Sequence, residues 1–231
     1  MFPLVGLITC TPEPDRLVAA AARLCYSPGS ASGLVSELKA EEADRLLKHL
    51  ARSGHLSPFE HASFVFAIDG ISRACSHQLV RHRIASFSQQ SQRYVRAESP
   101  EIVTPKTVER TPGALPVFDE AVRNAYAAYG KLLALGIPQE DARYVLPNAC
   151  VTHLVVTMNA RELLHFFSLR LCKRAQWEIR EVARQMLCLA REKAPGLFAV
   201  AGPGCLTRGG CVEARPCGEP YSSMEELLEK P

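Results

Sequence analysis

A mixed α/β domain is what the sequence predicts, and three observations carry that prediction. Short segments of alternating or β-branched apolar residues, at 5–9, 62–68 and 150–158, read as strands. Between and after them lie longer stretches of helical pattern or propensity, clearest at 40–53, 115–135 and 175–193. With 231 residues and 47% hydrophobic content, the chain can bury a sizeable core as one domain, or a domain with a tail.

Residues 5–9 are apolar and bounded by Pro3, Pro12 and Pro14, which marks a short strand. A helix over 15–26 places Leu17, Ala20, Ala21 and Leu24 at helical spacing, and 29–33 is a loop of small residues. The helix over 40–53 has Leu46, Leu47 and Leu50 on one face, and Glu41, Glu42 and Asp44 near its start, where the dipole favours them. Gly54 ends it. Phe64, Phe66 and Ile68 alternate along the strand at 62–68, and Asp69-Gly70 is expected to terminate it. A helix over 71–81 then carries Gln78 and Arg81 on one face.

The polar, proline-punctuated stretch at 99–112 includes a possible strand at 101–104. The helix at 115–135 packs without evident chemistry, Gly136 ends it, and a short helix opens at Pro138. After the strand at 150–158, Asn159 is a good N-cap and Glu162 completes a capping-box-like pair. The helix that follows shows Arg161 and His165 at i and i+4, with Arg170 on the same broad side. Taken alone, that spacing is more often a surface than a site. The helix over 175–193 is amphipathic, through Ile179, Val182, Met186 and Leu189. Composition changes after Pro195, which divides the chain into a domain at 1–200 and a Gly/Pro/Cys-rich tail at 201–231, where 222–228 reads as a short acidic helix or a frayed end.

Net charge of +3 is too small for a general nucleic-acid coat. No apolar run reaches the roughly 18 residues of a membrane helix. Met1-Phe2-Pro3-Leu4 lacks the basic start and apolar core of a secretory leader, so the expected location is cytoplasmic. Nine cysteines without a CxxC pair argue against a disulfide framework. Cys205, Cys211 and Cys217 stand six apart and could bind zinc with Cys172 or a histidine as fourth ligand. The usual knuckle spacing is missing, and no metal is assigned.

Charge matters where it clusters, in Arg81-His82-Arg83-Ile84-Ala85-Ser86-Phe87-Ser88-Gln89-Gln90-Ser91-Gln92-Arg93-Tyr94. A basic run is usually a solvated face. Here four cationic or protonatable groups stand without an acidic partner in the run, and they repel one another unless an anion sits among them. Planar guanidinium forks suit phosphate, and the serines and carboxamides suit sugar or base edges. The mixture fits an anionic ligand rich in hydrogen-bonding groups, such as a nucleotide. Upstream, His55-Leu56-Ser57-Pro58-Phe59-Glu60-His61 reads as a turn fixed by Pro58, or as the lining of a polar pocket.

Arg-His-Arg, seven residues, Ser91 and then Arg93 resembles the signature of the flavin-dependent thymidylate synthases. The run from His55 to His61 is similar to another segment of that family. So are Ala142-Arg143-Tyr144-Val145-Leu146-Pro147, Asn159-Ala160-Arg161, Leu169-Arg170 and Ala175-Gln176-Trp177-Glu178-Ile179. These pieces occur in order over more than half the chain. The resemblance implies an α/β (α+β) fold with a mainly antiparallel sheet and flanking helices, and active sites shared between subunits of a homotetramer. It implies reductive methylation of dUMP to dTMP, with methylenetetrahydrofolate as carbon donor, NADPH as reductant and FAD as hydride carrier. Its partners are small molecules, with neither nucleic acid nor membrane among them.

Carried over position by position, the resemblance assigns dUMP contacts to Gln78, Leu79, Val80, Arg81, Gln89, Gln90, Ser91, Gln92, Arg93, Arg143 and Arg170. It assigns FAD contacts to Ser57, Arg81, His82, Arg83, Gln89, Asn159, Ala160, Arg161 and His165, with His55 and Glu60 nearby. Arg170 is the implied catalytic group, a guanidinium against the imide side of uracil that raises electron density at carbon 5. Ser91 lacks an obvious general base and reads as a substrate-binding hydroxyl. Three positions depart from the family pattern: Ser88 for Asn, Gln89 where Glu is common, and Arg174 for a histidine. Two other readings are a basic module for RNA or DNA, and a flavoprotein with different redox chemistry.

Overall fold

The computed structural model describes residues 3–97 and 99–229. Met1 and Phe2 of the leader reading, and the last two positions of the expected tail, lie outside the described residues. The chain begins with β1 (Leu4–Cys10) and α1 (Pro14–Leu24), where Pro14 takes the first helical position. Part of the stretch read as a loop forms α2 (Ala31–Glu37), because Ser30 Oγ accepts from the Gly33 amide at 3.2 Å and caps it. Next comes α3 (Ala40–Ser53), closed by Gly54 at φ +76°.

The next strand, β2 (Ser63–Ser72), runs through the Asp69-Gly70 pair that was expected to end it. Gly70 has φ +73°, which only glycine adopts readily, so the strand absorbs the irregularity and continues. Its extension delays the following helix, α4 (Arg73–Leu79), which Ser72 caps by accepting from Cys75 N–H at 3.0 Å. Arg81 lies beyond that helix, so the helical face expected to join it to Gln78 does not form.

Within the arginine-led stretch lies an unexpected strand, β3 (Ala85–Gln89). A single antiparallel bridge from Ile102 to Cys150 stands in place of the strand at 101–104. Then follow α5 (Lys106–Arg110), also unexpected, α6 (Ala114–Ala134) and α7 (Gln139–Ala142). The last strand, β4 (Val151–Asn159), leads directly into α8 (Ala160–Arg170) and then α9 (Trp177–Lys193). Short helices α10 (Gly204–Thr207) and α11 (Met224–Leu228) complete the order.

The four strands form one antiparallel sheet in the order β1-β2-β4-β3. Just beyond the strand ends, Thr11 N–H donates to Ser63 O (2.9 Å) and Arg73 N–H to Cys150 O (3.0 Å). An α/β fold with a mainly antiparallel sheet and flanking helices is thus borne out. The chain forms two compact units, and β2, β3 and β4 contribute residues to both. The first unit takes in Asp69–Arg81 and Ser88–Leu154, and its buried residues include Ile71, Cys75, Leu79, Val122 and Tyr129. The second takes in Leu4–Ile68, His82–Phe87 and residues 155–229. Phe198 centres its core, with ring centroids 5.3 Å from Phe64 and 5.8 Å from Phe167. Among the described residues no helix is long and apolar enough to cross a membrane.

Candidate active site

In the second unit, β4 delivers Asn159 at the mouth of α8, and Asn159 Oδ1 accepts from the Glu162 amide at 2.8 Å. The N-cap is as expected. The reciprocal half of the capping box is not, because the Glu162 side chain turns inward to a histidine eighty positions earlier. His82, only 4% exposed, stands with Nδ1 3.2 Å from Glu162 Oε1. On its other side, Arg170 Nε–H donates to His82 Nε2 at 3.0 Å. A guanidinium can only donate, so Nε2 carries a lone pair and the proton sits on Nδ1, where it donates to Glu162.

Electrostatics agree with a neutral ring. Burial, with the Arg170 guanidinium and His165 nearby, pushes His82 down to about 4. Burial also raises Glu162, while His165 pulls the other way. The His82 ring meets Phe166 edge-on at 4.9 Å and His165 at 5.8 Å. The result is a Glu162–His82–Arg170 line, its first two members buried, on one helix and the segment that precedes β3.

Ser57 opens a short 3₁₀ turn, Ser57–His61, whose Phe59 is fully buried and pins the segment. The exposed Glu60 of that turn pairs with Arg161 of α8, so two of the recognised segments meet. His55, Ser57, Arg161 and His165 all lie at the surface of this unit. Arg83 is exposed, and its side chain has no hydrogen-bond or ionic partner among the described residues.

In the first unit, Arg81 is exposed and equally unpaired among the described residues. Leu79 is fully buried, backbone included, whereas Val80 is 39% exposed. Gln89 Nε2 donates to Ser76 Oγ and Thr152 Oγ1, each at 3.0 Å. Ser91 Oγ accepts from the Arg93 amide at 3.2 Å and shapes the turn after β3. Arg93 pairs with Glu140 at 2.6 Å, and Arg143 Nε donates to the Glu140 carbonyl at 3.0 Å. Gln90, Ser91 and Gln92 line a polar cavity of about 260 Å³ that His153 and Tyr126 also border.

Some contributors gave no signal in the local pattern. Arg73 donates to the Gln90 carbonyl at 2.8 Å, while its Nε–H is buried with no partner among the described residues. A bound anion or water would satisfy that donor. His153 bonds Asp69 at 2.9 Å. Cys172 and the tail residues Cys205, Cys211 and Cys217 line one cavity of about 240 Å³. Among the described residues no group of three or more His, Cys, Asp or Glu side chains is arranged to hold a metal ion.

A family model described as "Thymidylate synthase complementing protein" matches residues 6–196. A flavin-dependent thymidylate synthase of Geobacter sulfurreducens is 52% identical over 218 residues, covering 93% of this chain and 94% of the relative. The chain belongs to the flavin-dependent thymidylate synthase family. Enzymes so named from Nitratidesulfovibrio vulgaris and Clostridium tetani are 46% and 44% identical, at 94% and 93% coverage of this chain. Among solved structures, a UMP/dUMP methylase PolB from Streptomyces cacaoi bound with 5-Br dUMP has TM-score 0.76 at 29% identity. That match covers 87% of this chain and 96% of the other.

Within this flavin-dependent thymidylate synthase fold, the departures from the family pattern have definite surroundings. Gln89 serves as a donor to two hydroxyls, and Arg174 is engaged by Glu213 of the tail at 3.0 Å. Ser88 is exposed on β3.

Proposed function

We propose that this enzyme methylates dUMP reductively to dTMP, drawing its carbon from methylenetetrahydrofolate and its electrons from NADPH, in cytoplasmic thymidylate biosynthesis. The observation that carries the reading is Arg170, a guanidinium held at Nε by a buried, neutral imidazole. Such an anchor fixes the position of a charge that no ordinary pH removes. The relatives' names and the methylase bound with 5-Br dUMP support the choice of substrate.

Carbon 5 of uracil is a poor nucleophile. A guanidinium against the imide side favours an enolate-like ring and raises electron density at carbon 5. In this role Arg170 is the catalytic residue, acting in place of a cysteine adding to carbon 6. Ser91 binds rather than attacks, since its hydroxyl already accepts from the Arg93 amide and no base is bonded to it among the described residues. Gln78, Leu79, Val80, Arg81, Gln89, Gln90, Ser91, Gln92, Arg93 and Arg143 contact the nucleotide.

The donor set suits FAD. Arg81 and Arg83 are each exposed with no side-chain partner among the described residues, and guanidinium groups suit phosphate oxygens. Ser57, His82, Gln89, Asn159, Ala160, Arg161 and His165 supply the remaining contacts. When bound, FAD supplies the hydride. Sites are completed between subunits of a homotetramer, and residues 201–231 form a tail appended to the 1–200 domain, consistent with a family match that ends at residue 196.

The test is a visible spectrum of purified protein, repeated after FAD and then dUMP are added. A flavin band that shifts on dUMP addition, with dTMP formed once folate donor and NADPH are supplied, is the expected result. Protein that retains no flavin when supplied with it, or NADPH oxidation without dTMP, would reject the assignment.

A further inference from the structure

We infer that Glu162 is a positioning residue for the methylation reaction: by accepting the His82 Nδ1 proton it keeps His82 Nε2 as the acceptor that holds Arg170. The inference rests on the reading of Arg170 as the uracil-activating group. Three observations lead to it. Glu162 is only 6% exposed, and a buried carboxylate needs a partner to offset its desolvation. It is not used to cap α8, because Asn159 does that. Its Oε1 lies 3.2 Å from His82 Nδ1, on the opposite side of the ring from the 3.0 Å bond to Arg170 Nε.

The chemistry of the ring makes the two bonds interdependent. A neutral imidazole carries one proton, and only one of its nitrogens can accept. Glu162 accepts only, so it draws that proton to Nδ1; Arg170 donates only, so it needs Nε2 bare. Removing the acid leaves Nδ1–H buried among Phe166, His165 and the α8 core, with nothing to receive it. The tautomer with the proton on Nε2 then gains weight, and it sets a donor against a donor at Arg170. The guanidinium loses its anchor although no residue touching the substrate has changed. Metal-bound histidines are tuned by the same kind of remote carboxylate.

The experiment compares Glu162→Ala, Glu162→Gln and Arg170→Ala in dUMP turnover, with FAD content and thermal midpoint recorded for each. Glu162→Ala is expected to lose about tenfold to a hundredfold in kcat, the scale of a misplaced catalytic group, with FAD still bound and the dUMP KM little changed. Glu162→Gln is expected to recover most of that loss, since its carbonyl accepts the same bond. Wild-type kcat in Glu162→Ala beside an inactive Arg170→Ala would overturn the role of Glu162. Wild-type kcat in Arg170→Ala would instead remove the reading beneath it. A folded, flavin-bound Glu162→Gln as slow as Glu162→Ala would also overturn the inference, because the acceptor is kept and only charge is lost. Should Glu162→Ala not fold, nitrogen-15 spectra of the histidine-labelled wild-type enzyme decide. They must show His82 protonated at Nδ1, and a proton on Nε2 contradicts the mechanism.

Discussion

At the scale of single residues, protonation and hydrogen-bond direction decide what each side chain can do. His82 illustrates this, since its folded pKa of about 4 lies below the ordinary histidine value near 6.5. The unfolded chain therefore binds more protons between those values, and stability falls as pH drops from about 6.5 to about 4, by on the order of 2–3 kcal/mol. Glu162, raised by burial, takes up a proton more readily when folded and offsets part of the loss. Urea unfolding near neutrality and at about pH 5 should show a steeper acid loss for the natural enzyme than for His82→Gln. Equal acid losses would contradict a neutral His82. Gln89 makes a second case. The Ser76 hydroxyl donates to the Arg73 carbonyl at 3.0 Å, so it accepts from Gln89, and a carboxylate there would face an oxygen whose proton is committed. Gln89→Glu should cost about 1 kcal/mol of stability, read in the same titration, and an unchanged midpoint would refute the argument. Ser91→Ala should weaken dUMP binding yet keep turnover; complete loss of turnover with normal binding would make Ser91 a nucleophile. The candidate arginines, serines and glutamines were legible as a motif, whereas the Glu162–His82 pairing was not, because local pattern offered Glu162 a capping role instead.

At the scale of elements, helices are positioned by their ends. α8 carries Arg161, His165 and Arg170, and its start is fixed by the Asn159 cap together with the Ala160 N–H bond to the Ala62 carbonyl at 2.8 Å. Elsewhere in the second unit, Asp15 of α1 accepts from the Gly196 and Leu197 amides at 2.8 and 3.0 Å, tying the first helix to the segment after α9. A Cβ on Gly196 would stand 2.9 Å from both Asp15 Oδ2 and Leu47 Cδ1. Gly196→Ala should therefore destabilise by about 1–3 kcal/mol, measured by thermal or urea midpoint, while FAD and dUMP binding at saturation persist. A wild-type midpoint would show that the junction has room. Most elements were readable from periodicity, caps and breakers. The strand segments missed share a cause: β3 and the far half of β2 are polar or glycine-containing, and they become strands only because a neighbour's backbone completes them.

At the scale of the whole molecule, the proposed sharing of sites between subunits requires the enzyme to assemble. Sedimentation at working concentration should give four times the chain mass, and an active monomer would end the shared-site proposal. Exposed apolar side chains such as Ile84 (69%), Tyr94 (76%) and Tyr144 (83%), close in sequence to the proposed binding arginines, suit burial by a second copy. The sequence by itself determined the family, the class of fold and the residues that carry charge, because ordered motifs and periodic apolar positions are local properties of a chain. Only the tertiary structure decided that Glu162 faces His82, that His82 is neutral with its proton on Nδ1, and that Arg170 hangs from its other nitrogen. Those bonds join residues 80 and 88 positions apart. Nothing in local spacing encodes such a contact; burial creates it, by removing the water that would otherwise satisfy each group alone.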